Sequence, residues 1–510
     1  MISIQTDILV IGAGPHALAM IARLSEEHPE SLLTDDEHFR LLRVRSASNQ
    51  KKHKGERLKK MCLCQGRKVM VIDPNGDWMR NWKKNFSTLQ ISHLRSPIFF
   101  HLDPFDSQGL REFAERNDRI SELTNIESIY QSKNVAIRMN KRFKNHNVFN
   151  ERDRDRFVLP SSALFLDYCH EMISRYKMDG LVKQASVVDI EPVKVPGSLS
   201  HIYRVHLSNG EVVIANKVIS AIGPGTNRRT PEWVEGVGNT HPLDSLVHAY
   251  DMDPSKISRK AASTDQLLIV GGGLTAGHLA IIAASKGYKK IIMISRSHFR
   301  TQQFDVEISW MGRYGKVSMA EFWGETNEKE RLKILRQARK GGSITPQVMQ
   351  KLNQLMKDGV LEMIPTTQVN QAIWCSSSNN WKVELTNDTN ISASAIWLST
   401  GRCQNSEINL NREIAFKKVI DQLNVKLIEG LPVVTEDLRL AAGENIFIMG
   451  AFAALQLGPN ALNLIGARSG SERIASAIGC EVIYSDTYKQ DAVEALVTNC
   501  GGYYDILAGA

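Results

Sequence analysis

Two glycine-rich runs in this chain have the residue types and spacing that hold a diphosphate. The first, Gly12-Ala13-Gly14-Pro15-His16-Ala17, directly follows the apolar run Ile8 to Ile11 and precedes a stretch with helical apolar spacing. In such a strand–turn–helix unit the first glycine permits the tight turn and the second lets backbone approach the diphosphate. A small third residue lets helix and strand pack closely. The helix N-terminus then offers unpaired N–H groups to the anion. Gly12, Gly14 and Ala17 fill the three positions, with Pro15 among them. A parallel strand closing on an acid should follow, to accept from ribose hydroxyls. Val69-Met70-Val71-Ile72-Asp73 fits, 59 residues after Gly14. Placed at Gly12, the unit reads as an FAD site, with Asp73 on the adenosine ribose.

The second run, Gly271-Gly272-Gly273-Leu274-Thr275-Ala276, follows Leu267 to Val270. Gly271, Gly273, Thr275 and Ala276 are its expected cofactor residues. Its partner strand, Ile291 to Ile294, ends in Ser295-Arg296 rather than in an acid. A guanidinium there suits a 2′-phosphate, which favours NADPH over NADH. Two such sites imply that hydride passes from nicotinamide to flavin and then to a further acceptor. Of the seven cysteines only Cys62 and Cys64 lie close together. That spacing is too short for a C-x-x-C redox centre, and no second pair completes a zinc site. The cysteines are read as free thiols and no metal is expected. Dioxygen, a quinone or another small molecule remains as acceptor.

These motifs need elements to position them. The 510 residues allow two or three domains, and 42% hydrophobic with 23% charged residues is the composition of a soluble globular protein. No run approaches the roughly 18 apolar residues that span a bilayer. Asp7 interrupts the N-terminal apolar run, which argues against a signal peptide, so a cytoplasmic location is expected. The net charge of +8 comes from one stretch: eleven bases between Arg40 and Lys68 face a single acid, Glu56. This basic insert, residues 25–67, explains the late arrival of the Asp73 strand. It reads as a solvated loop, and no nucleic-acid partner is expected.

Further strands precede glycine at Lys217 to Ile222, Ala395 to Leu398 and Ile446 to Met449. The expected fold class is α/β, with two Rossmann-like dinucleotide-binding domains, the NADPH domain inserted in the FAD domain. Residues 1–260 form the first part of the FAD domain and 261–395 the NADPH domain. Residues 396–510 return to the FAD domain and add a C-terminal helix. Gly401 is expected at a cofactor. Asn460 and Asn463 are placed at the flavin ring edge or the substrate, with helix capping by Asn460 the competing reading. Trp310, Trp323 and Trp397 are read as packing residues. A homo-oligomer is compatible with all of this.

With the glycine pair, the segment Leu89-Gln90-Ile91-Ser92-His93-Leu94-Arg95-Ser96-Pro97 and the downstream Asp103-Pro104 resemble the flavin-dependent N-hydroxylating monooxygenases. Those enzymes act on ornithine and lysine in siderophore synthesis. The resemblance implies that this segment lines the flavin, with Trp82 and Gln90 beside the cofactor. Arg95 stands where the family uses a Lys for the substrate's α-carboxylate. It further implies that NADPH reduces FAD and that dioxygen forms a flavin hydroperoxide. One oxygen then passes to a small amine or amino acid. Gln90, Arg95 and Asn463 are the implied catalytic residues. The chain keeps the family's Thr-Gly turn as Thr400-Gly401 but carries Arg402 where the family has Tyr. Two other readings stand beside this one: a flavin reductase or oxidase without oxygen insertion, and an FAD-binding regulatory protein.

Overall fold

Ser3–Ile11 (β1) ends in residues with almost no exposure, as a parallel strand covered on both faces requires. The computed structural model describes residues 3–27, 29–32, 66–126, 156–197, 200–224, 228–238, 241–252, 265–312, 315–401 and 409–479. Most of the basic insert, with Cys62 and Cys64, lies outside the described residues, as does Arg402. Val69–Asp73 (β2) pairs in parallel with β1, from Ile8 opposite Val69 to Ile11 opposite Ile72. The late partner strand is therefore where the acid placed it. Val182–Gln184 (β3) flanks β2. Val187–Lys194 (β4) and His201–Leu207 (β5) form an antiparallel excursion, and Val212–Ser220 (β6) returns beside β1. The order is β3-β2-β1-β6-β5-β4.

The second sheet repeats this plan. Leu246–His248 (β7) lies at its edge. Gln266–Val270 (β8), Lys290–Ile294 (β9) and Leu361–Ile364 (β10) run in parallel. Val369–Cys375 (β11), Asn380–Leu385 (β12) and Asn390–Ala393 (β13) form a separate antiparallel sheet over one face. Ala395–Leu398 (β14) then returns beside β8, giving the order β10-β9-β8-β14-β7. Each returning strand gains one more parallel neighbour: β7 on β14, and Ile446–Ile448 (β15) on β6. The second sheet thus draws on chain from 246 to 398, a wider stretch than 261–395, because β7 pairs with the otherwise open edge of β14.

Pro15–Ser25 (α1) is buried along nearly its whole length. Arg80–Thr88 (α2) leads into the Leu89–Pro97 segment, and Ser162–Arg175 (α3) is capped by the Ser161 side chain accepting from Leu164 N–H. Leu274–Ser285 (α4) begins at the second glycine turn. Gly315–Gly324 (α5) and Glu328–Arg339 (α6) lie in the chain between β9 and β10. Their Phe322, Leu332 and Leu335 nonetheless join the core of the first unit. This contact ties the two units together. Pro346–Lys357 (α7) packs on α4, and Leu464–Ala477 (α8) packs on α1. Trp397 is buried in the second core and Trp310 is partly buried. Trp323 departs from the packing expectation: it is 45% exposed, on the outer face of α5, with its indole N–H donating to the Gln456 carbonyl. No helix among the described residues is long and apolar enough to cross a membrane.

Candidate functional site: two matched glycine turns and the seam between them

At the first turn Gly12 has φ +104°, and a Cβ there would lie 2.7 Å from the Ala221 carbonyl oxygen. Only glycine satisfies both constraints. Gly14 caps α1 without any side-chain bond, and the space around its missing Cβ is open. The first helical bond runs from Leu18 N–H to the Gly14 carbonyl at 3.0 Å. The N–H groups of His16 and Ala17 therefore point out of the helix end with no intrahelical acceptor. Asp73 Oδ2 accepts from Ala13 N–H at 3.0 Å, and Oδ1 accepts from Asn75 N–H and Nδ2 at 2.7 and 3.0 Å. A carboxylate has about four acceptor positions, so capacity remains for a hydroxyl.

The second turn reproduces this geometry. Gly271 has φ +144°, and its Cβ would overlap the Ser399 carbonyl oxygen. Ser399 N–H donates to Val270 O at 2.8 Å, as Ala221 N–H donates to Ile11 O at 2.8 Å. Ser399 is thus the counterpart of Ala221, with a buried hydroxyl that has no partner among the described residues. Gly273 caps α4 with no side-chain bond, and Leu274, Thr275 and Ala276 occupy the places of Pro15, His16 and Ala17. Arg296 is exposed just beyond β9 and forms no ion pair or side-chain hydrogen bond among the described residues. Gly401, at φ +83°, accepts from Arg229 N–H at 3.2 Å beyond β14.

Between the turns the expected residues divide. His16 donates from Nε2 to the Ala461 carbonyl at 3.0 Å, joining the start of α1 to the approach to α8. Burial lowers its pKa against that backbone bond, so the imidazole is neutral. Asn463, not Asn460, is the N-cap residue of α8, and its side chain makes no capping bond. Its Nδ2 donates to Asn460 Oδ1 at 3.0 Å, and Asn460 Nδ2 donates to the Trp310 carbonyl at 2.6 Å. The capping reading of Asn460 therefore falls, and the two amides form a buried chain. Gln90 is exposed in the left-handed region, φ +49°, just past α2. Trp82 stacks on Phe86 at 3.8 Å and tilts against Phe165 at 5.4 Å, so its ring is engaged by packing.

Arg95 corrects an expectation. Its Nη1 pairs with Asp305 at 2.6 Å and its Nε donates to Gln303 O at 2.7 Å. Its Nη2 reaches Gln302 O, Phe304 O and Ser343 Oγ at 2.8, 2.9 and 2.6 Å. The fork expected to take a substrate carboxylate clamps the 302–305 loop instead. Beyond it, Phe99, Phe100, Phe157, Phe304 and Met311 form a small apolar cluster on which Leu464 and Ile465 pack. Asp103, in the downstream motif, is buried. It accepts from Tyr168 and Tyr176 hydroxyls at 2.8 and 3.0 Å and pairs with Arg175. Burial raises its pKa, but Arg175, the Phe105 N–H, His101 and the Tyr168 hydroxyl together bring it down to about 2. Sequence reasoning passed over His16, Ser399 and Gln303. His16 lay inside a motif, but its partner lies 445 positions away.

The two parallel sheets, each with a glycine turn opening a helix, define a fold of two Rossmann-like units. No family model matches the chain, and no curated protein does. Solved structures match across nearly its whole length. An ornithine N-hydroxylase from Kutzneria sp. 744, solved with reduced FAD, NADP⁺ and L-ornithine, gives a TM-score of 0.62 at 14% identity, covering 93% of this chain and 99% of that one. The cadaverine monooxygenase of desferrioxamine biosynthesis from Erwinia amylovora, solved with FAD, gives 0.60 at 14% identity, covering 94% and 96%. L-lysine 6-monooxygenase from Pseudomonas syringae gives 0.60 at 16% identity, covering 92% and 98%. The chain has the fold of these enzymes.

Proposed function

We propose that this protein is an FAD- and NADPH-dependent monooxygenase that hydroxylates the nitrogen of a small amine, with dioxygen as co-substrate. The observation carrying this is the match between the two glycine turns, each opening an uncapped helix N-terminus, within a fold shared with N-hydroxylating enzymes. The residues fit both cofactors. Gly14 leaves room for a diphosphate, which the N–H groups of His16 and Ala17 bind, and Asp73 retains capacity for a ribose. The N–H groups of Thr275 and Ala276 serve the second diphosphate, and Arg296 serves a 2′-phosphate. When bound, FAD supplies the relay of two electrons from NADPH to dioxygen.

The chain's own residues then have three tasks. Gln90, Asn460 and Asn463 orient the reacting groups at the flavin side of the seam. The Phe99–Phe304 cluster excludes water. The neutral His16 fixes the start of α1 against the approach to α8. With Arg95 committed to Asp305, that position holds no free fork for a carboxylate, which favours an amine over an α-amino acid. The reading fits a cytoplasmic supply of NADPH. The test is NADPH consumption in air by the FAD-loaded protein, with a panel of diamines, lysine and ornithine. Product mass should rise by one oxygen, in step with NADPH used. Stoichiometric hydrogen peroxide with every amine, and no hydroxylated product, refutes it.

A further inference from the structure

Gln303 is buried, 8% exposed, and neither Oε1 nor Nε2 of its side chain has a hydrogen-bond partner among the described residues. A primary amide carries an acceptor and two donors, and buried groups of this kind are almost always satisfied. The backbone around it is firmly held. Arg95 donates to the carbonyls of Gln302, Gln303 and Phe304, and Gln302 N–H donates to Ile344 O at 2.9 Å. Thr301 bridges Ile344 in parallel. The same strip, Gly341 to Thr345, approaches the second glycine turn: a Cβ on Gly342 would lie 3.3 Å from the Gly273 Cα. Gln303 therefore sits where three segments meet. One is Leu89–Pro97 of the first unit, one is its own loop, and one is the strip against the second turn. An unpaired amide on a held backbone thus stands at the seam, in a loop joined through Ile344 to the strip against the second turn.

We propose that Gln303 recognises the carboxamide of the nicotinamide ring. This rests on the NADPH assignment made above. The ligand chemistry follows from both orphan atoms together. An amine satisfies the Oε1 acceptor alone, and a carboxylate satisfies the Nε2 donor alone. A primary carboxamide presents a donor and an acceptor side by side, the complement of a glutamine amide. The loop that ends at Gln303 begins at Arg296, so one short stretch of chain serves the 2′-phosphate end and the nicotinamide end of one dinucleotide.

The test is equilibrium binding to the FAD-loaded full chain, without turnover, by calorimetry. Three ligands are titrated: NADP⁺, its 3-acetylpyridine analogue, which keeps the acceptor and lacks the N–H donor, and 2′-phospho-ADP-ribose, which lacks the ring. Wild type should bind NADP⁺ more tightly than the acetylpyridine analogue. Gln303→Leu should weaken NADP⁺ about tenfold, as expected for loss of such bonds, erase that preference, and leave 2′-phospho-ADP-ribose unchanged. The unchanged ligand also reports that the variant is folded. Equal affinity of wild type for NADP⁺ and the analogue overturns the role of Gln303 without any variant. Equal weakening of NADP⁺ and 2′-phospho-ADP-ribose in the variant also overturns it. If wild type binds none of the three, the NADPH assignment itself falls, and this inference with it.

Discussion

Arg95 and Asp305, 210 positions apart, form a 2.6 Å ion pair that pins the Leu89–Pro97 segment to the loop leading out of the second sheet. Four further hydrogen bonds from the same guanidinium reinforce it. Arg95 should therefore act on stability more than on substrate choice. Arg95→Met should lower stability by about 2 kcal/mol, a value held down because Asp305 is 38% exposed. Lysine cannot reproduce a five-donor fork, so Arg95→Lys should recover only part of the loss. Urea denaturation measures this. A normal unfolding midpoint, with KM raised only for carboxylate-bearing substrates, would return Arg95 to substrate binding.

The glycine turns give a matched pair of variants. At Gly12 an alanine meets both a left-handed φ and the Ala221 carbonyl, and at Gly271 it meets the Ser399 carbonyl. Strain of this kind costs roughly 1–3 kcal/mol before the clash is counted. Gly12→Ala should purify depleted of FAD. Gly271→Ala should keep its flavin absorbance and be bleached by dithionite, but not by NADPH. Flavin loss in both variants alike would show that the turns are not separate sites.

The network around Asp103 sets a pH dependence. His101 is buried: Nε2 donates to Ser107 O at 2.9 Å, and Nδ1 accepts from Asp103 N–H at 3.2 Å. Protonation would need the place of that N–H. Burial first, then Arg468, hold its pKa at about 4, against opposing pulls from Ser107 O, Asp103 and Glu30. The folded value lies below the ordinary 6.5. His101 therefore contributes stability that is complete above pH 6.5 and is lost as pH falls through 4. The total is about 3 kcal/mol. Asp103, lowered from 3.8 to about 2, adds a second window with the same sign, complete above 3.8 and lost toward 2. Urea midpoints of wild type should decline from pH 7 to pH 4. His101→Gln should flatten that decline; an unchanged slope would assign it to other groups.

The sequence located both strand–turn–helix units because their signals are local. In each, a run of apolar residues, a glycine turn and the start of a helix lie within a few positions of one another. Even the 59-residue delay before Asp73 did not hide β2, since an apolar run closing on an acid marks itself. What stayed hidden depends on register between distant segments. Nothing near Ser399 in sequence says that its carbonyl lies under Gly271, or that it matches Ala221 under Gly12. Arg95 has the right charge for a carboxylate, but Asp305, which claims it, lies in the other unit. Trp323 shows the same limit on a helix: residue type suggested packing, while the orientation of α5 turned the ring outward.

On the proposed reading, Arg296 sets the choice between NADPH and NADH. It is exposed one residue past the buried Ser295 at the end of β9, and no protein carboxylate claims it among the described residues. In the first unit Asp73 holds the equivalent strand end, where an acid suits ribose hydroxyls and repels a phosphate. A charge-assisted bond to phosphate is worth about 1.5–3 kcal/mol, toward the low end for an exposed group. Arg296→Ala should therefore lower kcat/KM for NADPH about tenfold and leave NADH nearly unchanged. Arg296→Asp should go further and reverse the preference, by adding repulsion against the phosphate. The preference of wild type should also fall as salt is raised, since an exposed pair is screened. Flavin reduction rates with both cofactors, at low and high salt, measure all three. Equal loss with NADPH and NADH in Arg296→Ala would place the 2′-phosphate elsewhere.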